Sequence, residues 1–145
     1  MKKQILLIIL GLIVLAQFIQ PSRAVEKTDP NNDLLVMTNA PAEIADNVKA
    51  ACYDCHSYET KYPLYSYITP VNWWLNNHIQ EGRSEMNFSV WGTYPQGKRD
   101  HKAEECGEAL REGWMPLDSY TPMHPEADLD QQTRERLAVW FGSIR

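Results

Sequence analysis

Cys52-Tyr53-Asp54-Cys55-His56 decides how this chain is read. Two thiols three positions apart, followed at once by an imidazole, have the spacing of a c-type haem attachment site. In that chemistry each thiol adds to one vinyl group of the porphyrin. The two residues between them let a short loop span both vinyls, and the adjacent His is delivered to the iron. Two other chemistries use paired thiols. A thioredoxin-type redox disulfide would sit beside a βαβ pattern, and none surrounds these residues. A structural zinc needs four ligands, and the chain has no second Cys pair. Its third cysteine, Cys106, stands alone.

Working towards the N-terminus, Met1-Lys2-Lys3 precedes an apolar run from Ile5 to Ile19, interrupted only by Gly11 and Gln17. A basic start followed by such a run is a secretory signal or a short membrane anchor. Ser22 and Ala24 fit a cut after Ala24, but weakly, and an uncleaved anchor is the preferred reading of residues 1–24. Either outcome exports the domain, in keeping with haem attachment outside the cytoplasm; the expected place is the periplasm, tethered to the inner membrane. Losing Lys2, Lys3 and Arg23 with that segment takes 14 basic side chains to 11 against 19 acidic ones, a formal charge of −8. That balance excludes an obvious nucleic-acid face and suits a redox partner with a basic docking face.

Residues 25–40 are rich in Asn, Asp, Thr and Pro and read as a linker, leaving 41–145 as the domain. A helix is expected from about Pro41, with Ile44, Val48 and Ala51 on one face, running into Cys52. A second is expected behind Thr69 as N-cap and Pro70, with Val71, Trp74, Leu75, His78 and Ile79 as its apolar stripe and Gly82 as its stop. Between Arg83 and Gly97 the pattern is irregular, pinned by Phe88 and Trp91; the sequon Asn87-Phe88-Ser89 is disregarded. A third helix is expected over Lys98–Glu112, stopped by Gly113, with Cys106 as a small hydrophobe. The last starts behind Asp130, and its stripe of Thr133, Leu137, Trp140, Phe141 and Ile144 is expected to pack across the first. With no alternating pattern, the fold class is all-α: a small helical domain around one covalent haem.

A haem iron has a second axial position. Met115 is the first candidate, in a loop after Gly113 and stiffened by Pro116; a thioether there raises the potential and suits electron transfer. His78 on the apolar stripe is the rival, as a ligand or as part of the haem pocket. His101 and His124 are expected to face solvent, and a vacant sixth position stays open.

The blocks CYDCH, KYPLYSYITPVNWWLNNHIQEGR, NFSVW, GWMPLDSY and HPEADL, in this order, resemble a small haem-binding domain family of bacterial exported proteins, cytochrome-c-like in character. The resemblance covers residue 41 to the C-terminus. It implies one haem c held covalently by Cys52 and Cys55, with His56 as proximal iron ligand. It maps a motif Met onto Met115 and a motif His onto His78 without choosing between them. The expected function is single-haem electron transfer without substrate chemistry. A haem-based sensor or ligand-binding module is the alternative. A peroxidase, with His78 or Arg83 as acid–base group, is a more distant one.

Overall fold

The computed structural model describes residues 2–145, and every regular element in them is helical, as expected. The helices are α1 (Lys2–Ala16), α2 (Leu34–Met37), α3 (Ala42–Ala51), α4 (Tyr53–His56), α5 (Val71–Glu85), α6 (Gln96–Glu112) and α7 (Gln131–Ser143), joined by loops containing short 3-10 turns. Helix α1 is apolar on all sides and buries none of its residues. Its 15 residues cover about 22 Å at the α-helical rise. Among the described residues no helix is long and apolar enough to cross a membrane.

The core gathers around Phe88, whose ring lies 5.6 Å from Tyr53, 6.1 Å from Trp91 and 6.4 Å from Phe141. Val48 and Ala51 bring the inner face of α3 to it, Ala103 and Leu110 that of α6, and Leu137 and Phe141 that of α7. Helix α7 is capped by Asp130, whose carboxylate accepts the Thr133 amide at 2.7 Å, as its sequence predicts. It packs chiefly along α6, however, and only secondarily against α3.

Three expectations shift. The linker over 25–40 is partly core: Asp33 caps α2 by accepting the Leu35 amide, and Leu34 and Leu35 are buried. Two consecutive leucines behind a capping Asp outweigh the surrounding turn formers, because burying them stabilises the turn that propensity alone would not. Helix α5 begins at Val71 and runs past Gly82 to Glu85, so Gly82 is interior. Its predicted stripe is largely not buried in the core either; Ile79 is buried, but Val71 and Trp74 are exposed.

Candidate functional site

Helix α3 ends at Ala51, and the chain turns at Cys52 into the single turn α4, which carries Cys55 and His56. The turn is fastened by the two residues between the thiols. Tyr53 donates its hydroxyl to the Asp33 carboxylate at 2.9 Å, tying the loop to α2. Asp54 accepts the Lys61 amide at 2.8 Å and the Tyr120 hydroxyl at 2.8 Å, tying it to the loops on the other side.

Helix α5 lies directly against this turn. A Cβ on Gly82 would stand 2.7 Å from the Cys55 carbonyl oxygen, so only glycine allows the approach. The contact orients His56. Its Nδ1 lies 2.9 Å from the Gly82 carbonyl and 3.3 Å from the Met86 carbonyl. Both neighbours are acceptors, so Nδ1 carries the proton and Nε2 keeps its lone pair. This is the hydrogen-bonding pattern that fixes tautomer and ring orientation in metal-ligating histidines. Burial lowers the imidazole's pKa and keeps it neutral, the form that binds metal.

The same burial pushes the Cys52 thiol up to about 12 and Cys55 up to about 11. Redox-active Cys-x-x-Cys pairs depend on a depressed thiol pKa, so this environment is the wrong one for thioredoxin chemistry. Among the described residues no cluster of three His, Cys, Asp or Glu side chains forms a zinc-like site.

Three adjoining cavities, with wall residues in common, lie beside the motif. The inner one, about 40 Å³, is walled by Cys52, His56, Met86, Phe88, Cys106 and Met115 among others. The middle one, about 240 Å³, shares His56, Met115 and Pro116 with it and adds Cys55, His78, Gly82 and Tyr120. The outer one, about 260 Å³, shares Cys55, His78 and Tyr120 and adds Tyr65, Val71, Trp74 and Met123. Each is smaller than the roughly 300–1,000 Å³ of a typical cofactor site; joined, they reach it. The exposed stripe of α5 is one wall of this cleft, which explains an amphipathic helix that buries so little of its apolar face in the core.

The sequence-predicted residues therefore converge: Cys52, Cys55, His56, His78 and Met115 border this set of adjoining cavities. Met115 is held through its backbone, its carbonyl accepting from Arg134 Nη1 at 2.6 Å while Arg134 Nε donates to Leu129 at 3.0 Å. His78 pairs Nδ1 with the Trp74 carbonyl at 3.1 Å and its ring lies tilted against the Trp74 ring, centroids 4.3 Å apart. His101 is exposed, beside Glu105. His124 departs from expectation: it is buried, with Nε2 2.6 Å from the Tyr65 hydroxyl and its ring stacked 4.0 Å from Tyr120. Arg83 donates to the Ser57 carbonyl and the Thr60 hydroxyl, bracing the loop after the motif, and does not line the cleft. Sequence reasoning missed Asp33, Asp54, Tyr120 and Arg134, because each acts through one long-range bond that leaves no periodicity.

An apolar cleft beside a half-buried, neutral and oriented imidazole, with two thiols at its edge, fits a planar iron macrocycle. A model of the haem-binding domain family matches residues 11–143, and the chain belongs to that family. It is a haem-binding, all-helical protein. No curated protein and no solved structure matches it.

Proposed function

We propose that this chain holds one haem c through thioethers at Cys52 and Cys55, with His56 Nε2 and the Met115 thioether as iron ligands, and that it serves as an exported, single-haem electron carrier. Haem, when bound, supplies one-electron iron chemistry; the protein supplies the ligands, the burial and the docking surface. The observation that carries the reading is His56, whose Nδ1 is held by the Gly82 carbonyl and which lines two adjoining cavities with Met115, one bordered by Cys52 and the other by Cys55.

Met115 is preferred as the second ligand because it borders both the inner and the middle cavity with His56, whereas His78 meets His56 only in the middle one. The acidic domain suits a basic redox partner, and helix α1 is read as a retained anchor on the exported side of the inner membrane. A second reading has its own observation. His78 directs Nδ1 to Trp74, leaving Nε2 available, so bis-His ligation at a lower potential is the alternative.

Optical spectra of the purified full chain, oxidised and reduced, with and without carbon monoxide, separate these readings. Covalent haem is expected to survive denaturation and to vanish in Cys52→Ala with Cys55→Ala. A methionine charge-transfer band is expected to be lost in Met115→Ala. If His78→Ala changes the spectrum and Met115→Ala does not, the ligand is His78. Ready binding of carbon monoxide by the unmodified chain would favour a sensor over a carrier.

A further inference from the structure

Helix α1 does not simply dangle from the domain. The residues that follow it are bonded to the loop leading into α5. Gln17 exchanges two hydrogen bonds with the Thr69 backbone, at 3.0 and 3.1 Å. Gln20 accepts from the Asn72 amide at 2.9 Å, the Trp73 indole donates to the Ile19 carbonyl at 2.8 Å, and Arg23 donates to the Ser66 carbonyl at 2.6 Å. The Arg23 guanidinium also lies over the Tyr67 ring, 4.1 Å from its centroid. These contacts fix the base of the apolar helix against one particular face of the domain.

That face is itself apolar. Leu64 is 87 % exposed, Ile68 54 % and Trp73 41 %, and they continue onto the exposed Phe18 and Ile19 at the helix base. Contiguous exposure of this kind marks a surface made to be covered. We infer that its cover is lipid: the loop 64–70 with Trp73 and the residues after α1 form one membrane-seated surface, and the outer end of the haem cleft, bordered by Val71 and Trp74, opens beside it.

Length supplies the reason. Helix α1 has 15 residues, covering about 22 Å against a hydrocarbon core of roughly 30 Å. A helix this short leaves a mismatch, which is relieved when the protein at its end is drawn into the interface. The residues found there suit that depth. Trp and Tyr favour the headgroup level. The inference rests on the retained-anchor reading and adds to it where the domain sits.

The test uses the full chain with its haem, reconstituted in vesicles of phosphatidylcholine and phosphatidylglycerol. Intact mass first establishes whether residues 1–24 remain. A nitroxide is then attached in Leu64→Cys and, as reference on α7, in Val139→Cys; its collisions with oxygen and with a water-soluble nickel chelate are compared. The label at 64 is expected to favour oxygen several-fold and the label at 139 to favour nickel. Adding Ile68→Asp should return position 64 towards the aqueous value. A chain cut after Ala24 overturns the anchor and this surface together. An intact chain in which 64 and 139 are equally aqueous overturns the surface alone and leaves the anchor standing.

Discussion

His56 is oriented from the side opposite its free nitrogen, Nε2, and the residue that makes this possible has no side chain. Gly82 brings α5 close enough for its carbonyl to accept from His56 Nδ1. Gly82→Ala would set a Cβ 2.7 Å from the Cys55 carbonyl oxygen, and backbone has to move to admit it. Urea unfolding of this variant is expected to show a loss of about 1–3 kcal/mol, together with a perturbed haem spectrum as the imidazole turns. Gly97 is the opposite case, since a Cβ there meets nothing within 4 Å. Gly97→Ala in α6 should stabilise by about 0.4–1 kcal/mol and leave the spectrum alone. Equal effects from the two would remove the close-packing argument.

A second residue-scale prediction concerns Arg134, whose guanidinium clamps the Met115 carbonyl. Arg134→Ala frees the loop but leaves the thioether present, so the methionine band should weaken rather than disappear, and the potential should fall. Arg134→Lys, which has no planar fork to span the Met115 and Leu129 carbonyls, should restore only part of it. At this scale the sequence was legible wherever chemistry demands a spacing. Cys52, Cys55, His56 and Met115 stand out in the sequence because thiol, imidazole and thioether have few alternative reasons to stand where they do. Tyr53 and Asp54, at the two free positions of the motif, do not, since their partners Asp33 and Tyr120 are 20 and 66 residues distant.

Among elements, α5 and α2 show how local pattern and tertiary context divide the work. The stripe of α5 was legible as a helix face, but sequence cannot say whether an apolar face meets protein or cofactor. Here much of it faces the cleft, which is why Val71 and Trp74 remain exposed in the protein alone. Helix α2 was hidden by its neighbours, because Asn31, Asn32 and Asp33 argue for a turn while Leu34 and Leu35 are buried. A direct consequence follows for stability. Leu34→Ala should cost about 2–5 kcal/mol in urea unfolding, whereas Val25→Ala, at an exposed position in the same stretch, should stay within about 0.5 kcal/mol. A Leu34→Ala cost as small as that of Val25→Ala would mean that residues 25–40 are the linker their composition describes.

On the scale of the whole molecule, core and cleft are one construction. Phe88, Cys106, Leu110 and Phe141 belong to the buried cluster and also wall the inner cavity. A haem bound in the proposed place would therefore complete the core instead of lying on a finished one. In a domain this small the buried surface is limited, so a missing wall is a large fraction of what holds it together. Cys52→Ala with Cys55→Ala removes both thiols of the proposed covalent attachment and touches few other contacts. After extraction of any haem held by coordination alone, the variant is expected to keep most of its far-ultraviolet helical signal. Its near-ultraviolet signal, set by the packing of Phe88, Trp91 and Phe141, should fall, and its thermal transition should broaden and drop by more than about 10 °C, equivalent to a few kcal/mol. Restoring haem by coordination to His56 should recover part of that shift without the covalent bond, because the wall is rebuilt even though the tether is not. A haem-free variant that melts as sharply and as high as the loaded chain would mean that the core is complete by itself, and that the cleft is an attachment to the fold rather than part of it.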